Sequence, residues 1–329
     1  MNVSEIAKLA GVSSAAVSRY FNNGYISNEK REAIRKVVEE TGYRPSVQAQ
    51  TLRTKKTKMI GVIVPKIASA SIGKIVEGIL SVLNETEYQM ILAVTQNNPK
   101  KELEYLSSFN DKQVDGLILV ATVFLAEHKH LLKKLSVPSV IAGQHLQGHF
   151  CIYHDDYHAS YDLTTHILNK GRTNLGYIGA ILQDEAVGSQ RYRGFCDAVQ
   201  DMGHENLASN HIIADFTIAS GYEKAKELLK KHPDLDALLC ATDTMAAGAM
   251  QYLMESGIPV PNQILVAGQG DSELSKVTSP PFLTVHHSYE KSGEIAIQML
   301  LEQIGDKSTA PKEVKLGYYI VDNEKGEPQ

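Results

Sequence analysis

The chain has 329 residues, of which 43 % are hydrophobic and 22 % charged, and a formal net charge of −5. This is the composition of an ordinary globular protein, long enough for two or three domains with sizeable cores. No apolar run reaches the ~18 residues of a membrane-spanning helix. No basic-then-apolar leader opens the sequence, and the three cysteines, Cys151, Cys196 and Cys240, are too few and too scattered for a disulfide framework or a zinc ribbon. A reducing cytoplasm is the expected compartment.

The net charge conceals an asymmetry. Residues 1–58 hold eleven Lys and Arg against five acids, a balance of +6, which leaves −11 on the remainder. A basic head on an acidic body points to a polyanionic partner for the head alone, the alternative being a solvated charged face. Asn2 and Glu5 have the spacing of a capping box. Ile6, Ala7, Leu9 and Ala10 then recur at helical spacing, and Gly11 suits a left-handed helix end. Ser13 caps a second helix with Val17 and Phe21 inward and Ser14, Ala15, Ser18 and Arg19 outward. A third helix starts near Ser27, packs Ile34, Val37 and Val38, and stops at Gly42. Two short helices, a tight turn and a supporting third make a helix-turn-helix over residues 1–45.

Residues 46–58 read as a short helix from Ser46 to about Arg53 followed by a basic tether, marginal enough to fold only on a partner. From Met59 the period changes. MIGVIV, MILAV, DGLILVA and SVIAG read as buried strands separated by helices, and the alternation restarts with LGYIGA, DALLCAT and ILVAG. Alternation of this kind predicts an α/β body of two doubly wound parallel sheets, with ligands bound beyond the carboxyl ends of the strands, in the cleft between the sheets. The expected body is 59–329, with a first lobe of about 59–158 plus 288–310 and a second of about 159–287 plus 311–329.

The segments SEIAKLAGVSSAAVSRYFNN, GYRPSVQAQTLR, SQRYRGF, ATDTMAAGAMQYL and TSPPFLTVHHSYEKSGEIA together resemble the lactose repressor/galactose repressor (LacI/GalR) family, collinearly over nearly the whole chain. The resemblance implies a helix-turn-helix headpiece, a hinge helix, and a two-lobed body like the periplasmic sugar-binding proteins. Members usually bind a near-palindromic double-stranded DNA operator as homodimers. It places the second helix in the major groove, with Ser14 and Ala15 at base-reading positions. Both are small, so long bidentate contacts are missing there, and Ala16 departs from the Thr often found at its position. Arg19 is the stronger candidate for base contact; Ser4, Ser13, Ser18 and Asn22 are candidates for phosphates. Gln50 and Leu52 are the hinge contacts, Leu52 as the apolar wedge in the minor groove.

For the cleft, the resemblance implies effector contacts from Arg191, Thr242, Asp243, Gln269 and His287. Asp243 has two readings, helix cap or acceptor from sugar hydroxyls. Gly270 stands where many members carry Asp, so that contact is absent, which leaves Asp271 a structural role. Lys66, at the cleft mouth, is a point-charge phosphate binder, and its position resembles that of a basic residue in members that sense a sugar phosphate. Ser69 and Ser71 are candidates for hydroxyls or phosphate, and Tyr157 or Phe124 for stacking on a sugar ring. The cluster of His145, His149, His154, His158 and Cys151 fits no compact tetrahedral metal pattern. GxxxxGK[ST] is absent, and GQGDSE lacks the third glycine of a dinucleotide fingerprint.

The favoured reading is a repressor of a carbohydrate-utilisation operon, controlled by a sugar or, preferentially, a sugar phosphate, with no cofactor or metal. The second reading is a global catabolite regulator controlled by the phosphorylated carrier protein HPr. A sugar-acting enzyme is the third, and no nucleophile–base pair supports it. The C-terminus has no heptad leucines, so a dimer is expected rather than a coiled-coil tetramer.

Overall fold

The computed structural model describes residues 1–22, 24–43, 56–111, 114–306 and 308–323. The chain divides into two compact units, Met1–Thr57 and Lys58–Gln329. The whole of the expected hinge helix, Gln50 and Leu52 included, lies outside the described residues. Among the described residues no helix is long and apolar enough to cross a membrane.

The first unit is the helix-turn-helix that its spacing predicts. Helix α1 (Val3–Leu9) opens with a complete Asn2–Glu5 capping box, and α2 (Ser14–Phe21) is capped by the Ser13 hydroxyl, which accepts from the Ala16 N–H. Helix α3 (Asn28–Thr41) ends on Gly42 at φ 63°, a conformation open to glycine because it has no Cβ. Ile6, Ala7, Ala16, Val17, Ile26, Ile34 and Val37 form the core. Phe21 is only partly buried and packs edge-on against Tyr20 and Tyr43. Ser4, Ser13, Ser14, Ala15, Arg19 and Asn22 are exposed, and Ser18 is half-buried.

In the second unit the first lobe contributes β1 (Met59–Val64), α4 (Ala70–Leu83), β2 (Gln89–Val94), α5 (Pro99–Asn110), β3 (Gly116–Val120), α6 (Ala126–Lys134), β4 (Ser139–Ala142) and β5 (Phe150–His154). The second lobe follows with α7 (Asp156–Asn169), β6 (Leu175–Gly179), α8 (Arg191–Asp201), β7 (His211–Ile213), α9 (Ile218–Lys231), β8 (Ala237–Cys240), α10 (Asp243–Glu255), β9 (Leu265–Ala267), α11 (Glu273–Val277) and β10 (Thr284–His287). Helix α12 (Tyr289–Gly305) and β11 (Glu313–Leu316) then return to the first lobe, and β12 (Tyr318–Val321) to the second. The sheet orders are β11-β5-β4-β3-β1-β2 and β7-β6-β8-β9, each parallel throughout, with β10 and β12 forming a separate antiparallel pair. Strands covered on both faces read as continuous apolar runs, which is why the central ones are plain in the sequence.

The expected placement of 311–329 in the second lobe needs correction. Glu313–Leu316 pairs with β5 at the edge of the first sheet, and only β12 belongs with the second lobe. A four-residue edge strand with two charged side chains carries no apolar run to betray it.

Helices α4 and α12 lie side by side on the first sheet and meet through glycine. A Cβ on Gly78 would stand 1.9 Å from the Glu290 carbonyl oxygen, and one on Gly293 2.0 Å from that of Ile75. Since backbone cannot yield as a side chain can, Gly293→Ala is expected to cost about 1–3 kcal/mol, several degrees in Tm. Gly305→Ala, where nothing lies within 4 Å, is the control in thermal unfolding, and equal effects of the two would contradict the close-contact account.

Candidate functional site

A cleft lies between the two lobes, beyond the carboxyl ends of both sheets. The first lobe supplies Lys66, Ser69 and Ser71 after β1, Asn97 after β2, Thr122 after β3 and Gln144 after β4. The second supplies Asp184 and Ala186 after β6, Phe216 after β7, Thr242 and Asp243 after β8, and Gln269 after β9.

Lys66, half-buried, donates from Nζ to the Phe216 carbonyl at 3.2 Å and stands 4.9 Å above the Phe216 ring. Burial holds its ammonium below the usual lysine range, against the opposing pull of the Asp215 charge. The Ser69 and Ser71 hydroxyls lie 3.0 Å apart at the start of α4, a 14-residue helix with no side-chain cap. Ser69, Ala70, Ser71 and Ile72 all line the cleft. The positive end of a helix dipole, two hydroxyls and an ammonium therefore border one stretch of wall.

Arg191 opens α8 directly after a π-helical turn over Glu185–Gln190. Its side chain is 2 % exposed. Nε and Nη2 both reach Asp156 Oδ1, at 2.7 and 2.6 Å, Nη1 donates to the Ala241 carbonyl at 2.6 Å, and Nη2 approaches the Tyr289 hydroxyl at 3.5 Å. Burial works against the guanidinium charge, but the Asp156 carboxylate and the Tyr289 hydroxyl together more than offset it and hold the group protonated. Most of the donor fork that the sequence suggests for a ligand is thus spent within the protein.

Asp243 lines the cleft but is not the cap of its helix. The cap of α10 is the Thr242 hydroxyl, which accepts from the Met245 N–H. The buried Asp243 carboxylate accepts from the Ser272 N–H at 2.7 Å, the Ser272 hydroxyl at 3.0 Å and the Thr284 hydroxyl at 2.5 Å. Burial pushes its pKa up, and these same donors oppose the shift. Asp271 is structural, bound through Oδ2 to His286 Nδ1 at 2.8 Å.

Three expected contacts are elsewhere. The Tyr157 hydroxyl donates to Asp197 at 2.8 Å, with Arg193 over its ring, in a neighbouring groove. His287 does not line the cleft; it is fully buried behind it, its ring 5.3 Å from that of His154 and 5.6 Å from that of Tyr289. Phe124 packs into the first lobe's core. Lys66, Ser69, Ser71, Arg191, Thr242, Asp243 and Gln269 do come together.

The cleft also holds groups that sequence reasoning missed: Gln144, His154, Asp156, Asp184, Phe216 and Tyr289. Gln144 bridges the lobes, donating to Asp184 Oδ1 at 2.8 Å and accepting from the Ala186 N–H at 3.2 Å. Burial raises Asp184 to about 6. The available signal was position alone: Gln144 and His154 stand at the carboxyl ends of strands.

Residues 2–46 match the family model of bacterial regulatory proteins, lacI family, and residues 164–322 match a periplasmic binding protein-like domain. The chain is 30 % identical over 303 residues to the sucrose operon repressor of Staphylococcus xylosus, covering 92 % of this chain and 93 % of that relative. It is 26 % identical to the transcriptional regulator CelR solved with cellobiose, with a TM-score of 0.75 and 98 % of both chains covered. The Lac repressor dimer bound to operator and the anti-inducer ONPF, at 22 % identity, shares the fold with a TM-score of 0.89 over 98 % of both chains.

Arg191→Met leaves Asp156 buried without its counter-ion and should cost about 3–5 kcal/mol in urea unfolding. Adding Asp156→Asn should return much of that loss; strict additivity of the two changes would refute the pairing.

Burial, reinforced by the Arg191 charge, holds His287 well below the usual imidazole range, and burial holds His154 low as well. The fold keeps both neutral while the unfolded chain binds protons below about pH 6.5, so these groups lose stability on acidification, by up to about 1.4 kcal/mol per pH unit each. Asp184, with its raised pKa, works the other way, gaining stability as the pH falls from about 6 toward the ordinary carboxylate range. His287→Phe should therefore flatten the acid side of the stability–pH curve, and an unchanged slope would show that His287 titrates alike in both states.

Proposed function

The chain belongs to the LacI family of bacterial regulatory proteins, and we propose that it represses a carbohydrate-utilisation operon, its body sensing a phosphorylated sugar in the interlobe cleft and thereby setting the affinity of its headpiece for operator DNA. The reading makes the protein a regulator rather than an enzyme, acting as a homodimer on a near-palindromic site. Arg19, Ser14 and Ala15 on the exposed side of α2 would face base edges, and Ser4, Ser13, Ser18 and Asn22 phosphates.

One observation carries the choice of a phosphorylated effector. Lys66, the Ser69 and Ser71 hydroxyls and the uncapped first turn of α4 border the same part of the cleft. Helix N-termini beside a cation and hydroxyls suit a phosphate, which needs several donors and positive potential. A dianion would also offset the desolvation that burial imposes on the Lys66 ammonium. The Phe216 ring beside Lys66 offers a face for a sugar ring. The name of the Staphylococcus xylosus relative makes a disaccharide the first candidate.

Thermal shift and calorimetry with sucrose, trehalose and glucose, each paired with its 6-phosphate, test this. The phosphorylated member of one pair should bind preferentially. Lys66→Ala should weaken that ligand about 10- to 100-fold, the worth of charge-assisted hydrogen bonds, and leave the free sugar unchanged. Equal losses for both would place Lys66 on the rim, and no binding by any phosphorylated sugar would overturn the proposal.

A further inference from the structure

Outside the cleft, the first lobe buries a carboxyl and an imidazole between two helices. Glu102, in the first turn of α5, is 4 % exposed, and His128, in the first turn of α6, is fully buried. His128 Nε2 stands 3.3 Å from Glu102 Oε1, yet neither atom has a hydrogen-bond partner among the described residues. On the other side of the ring, Nδ1 accepts from the Leu125 N–H at 3.3 Å. The neutral imidazole therefore carries its proton on Nε2, and a second proton could enter at Nδ1 only by breaking the Leu125 bond.

The surroundings favour neither charge. The layer in which both helices pack is apolar, with Leu106, Phe109 and Leu132 clustered with Ala93, Leu117 and Leu119 of the sheet. The neighbouring charges on α5, Lys100, Lys101 and Glu104, are exposed, as are Glu127, Lys129 and His130 on α6. Burial alone raises Glu102 to about 7. Burial also holds His128 below the usual imidazole range, with the Pro99 carbonyl and the Glu127 charge opposing. His149, held low by burial and by the Lys133 charge of α6, is neutral in the same range.

Both helices begin just behind the wall of the cleft. Asn97, two residues before α5, and Thr122, four before α6, line it. The turn before α5 is strained, since Gln96 and Asn97 both lie at φ 57° and the Thr95 hydroxyl is buried without a partner among the described residues. Leu125, before α6, has no polar side chain, and the acceptor for its N–H is His128 itself. These are the segments that open first if the pair lets go.

The two groups pull in opposite directions with pH. Alone, Glu102 would cost stability as the pH rises from the ordinary carboxylate range to about 7, because the fold keeps a proton that the open chain gives up. Alone, His128 would cost stability as the pH falls below about 6.5, because the fold refuses a proton that the open chain takes. Between about pH 5 and 6.5 opening the pair leaves a carboxylate and an imidazolium in water, with no net exchange of protons with solvent.

We infer that Glu102 and His128 form a proton-compensated clasp beneath the first-lobe wall of the cleft, in which opening moves one proton from carboxyl to imidazole and the wall is held equally firmly across mildly acid and neutral pH. The clasp acts whatever ligand the cleft takes.

Hydrogen exchange on the full chain, corrected for the intrinsic pH dependence of exchange, tests this in peptides covering 95–102 and 122–128. From pH 5 to 7.5 wild-type protection should change less than about threefold. Glu102→Gln should lose at least about fivefold in protection as the pH falls over that range, and His128→Asn, which keeps an acceptor for the Leu125 N–H, at least about fivefold as it rises. A second measurement needs no variant: in wild-type protein labelled at the glutamate carboxyl, one carbon resonance should titrate near neutrality. A wild-type profile as steep as either variant's, variants as flat as the wild type, or no glutamate carboxyl titrating near neutrality would each overturn the clasp.

Discussion

The ion pair between Arg191 and Asp156 is the fastening on which the cleft depends. Asp156 is the first residue of α7, Arg191 of α8 and Tyr289 of α12, and Ala241 immediately follows β8. One guanidinium thus registers the starts of three helices and the end of a strand, at the place where the chain passes between lobes. Removing two charges from water is expensive, and a buried pair is retained only where its remaining donors find partners. Here the Ala241 carbonyl and the Tyr289 hydroxyl supply them. The consequence for recognition is that the arginine enters the cleft already neutralised, so the lysine opposite becomes the main source of positive charge.

That lysine is not idle either. Lys66 reaches across to the Phe216 carbonyl, and farther along α4 Lys74 reaches the Asp271 carbonyl at 3.3 Å. Both bonds run from the first lobe to main-chain acceptors in the second. A ligand that engages Lys66 shares it with Phe216, so its binding free energy includes whatever the lobes gain or lose in that exchange. An effector acts on a distant site only through such differences between states.

The architecture was largely legible in the sequence because burial on both faces writes strands as unbroken apolar runs, and because Asn2, Ser13 and Gly42 punctuate the headpiece helices by local chemistry. Strands β5, β7, β10, β11 and β12 were not read: they are three to five residues long, most are mixed in polarity, and they are chosen by pairing across the fold. The cleft was legible in its outline, since Lys66, Arg191 and Gln269 fall just beyond strand ends. Its internal bonds were not, because a sequence gives no sign that Arg191 will close on Asp156 or Asp243 on Ser272 and Thr284. Tyr157 and His287 show the limit of placing residues by resemblance. The Tyr157 hydroxyl is taken up by Asp197 in a neighbouring groove, and the His287 ring is buried behind those of His154 and Tyr289.

The return of β11 to the first sheet, with only Gly317 between it and β12, bears on how the molecule is made. Neither lobe is a contiguous stretch of polypeptide. Residues 59–154 emerge from the ribosome before the second lobe, but their sheet receives one of its covering helices and its edge strand from residues 289–316. The nascent chain must therefore hold an incomplete sheet, one face only part covered by α4 and one edge unpaired, while the whole of the second lobe is synthesised. Such contacts between distant parts of a chain form slowly and leave sticky surface exposed meanwhile. The wait is set by the rate of translation, and the same threading that keeps the lobes hinged makes completion of the first lobe a late event in the protein's biogenesis.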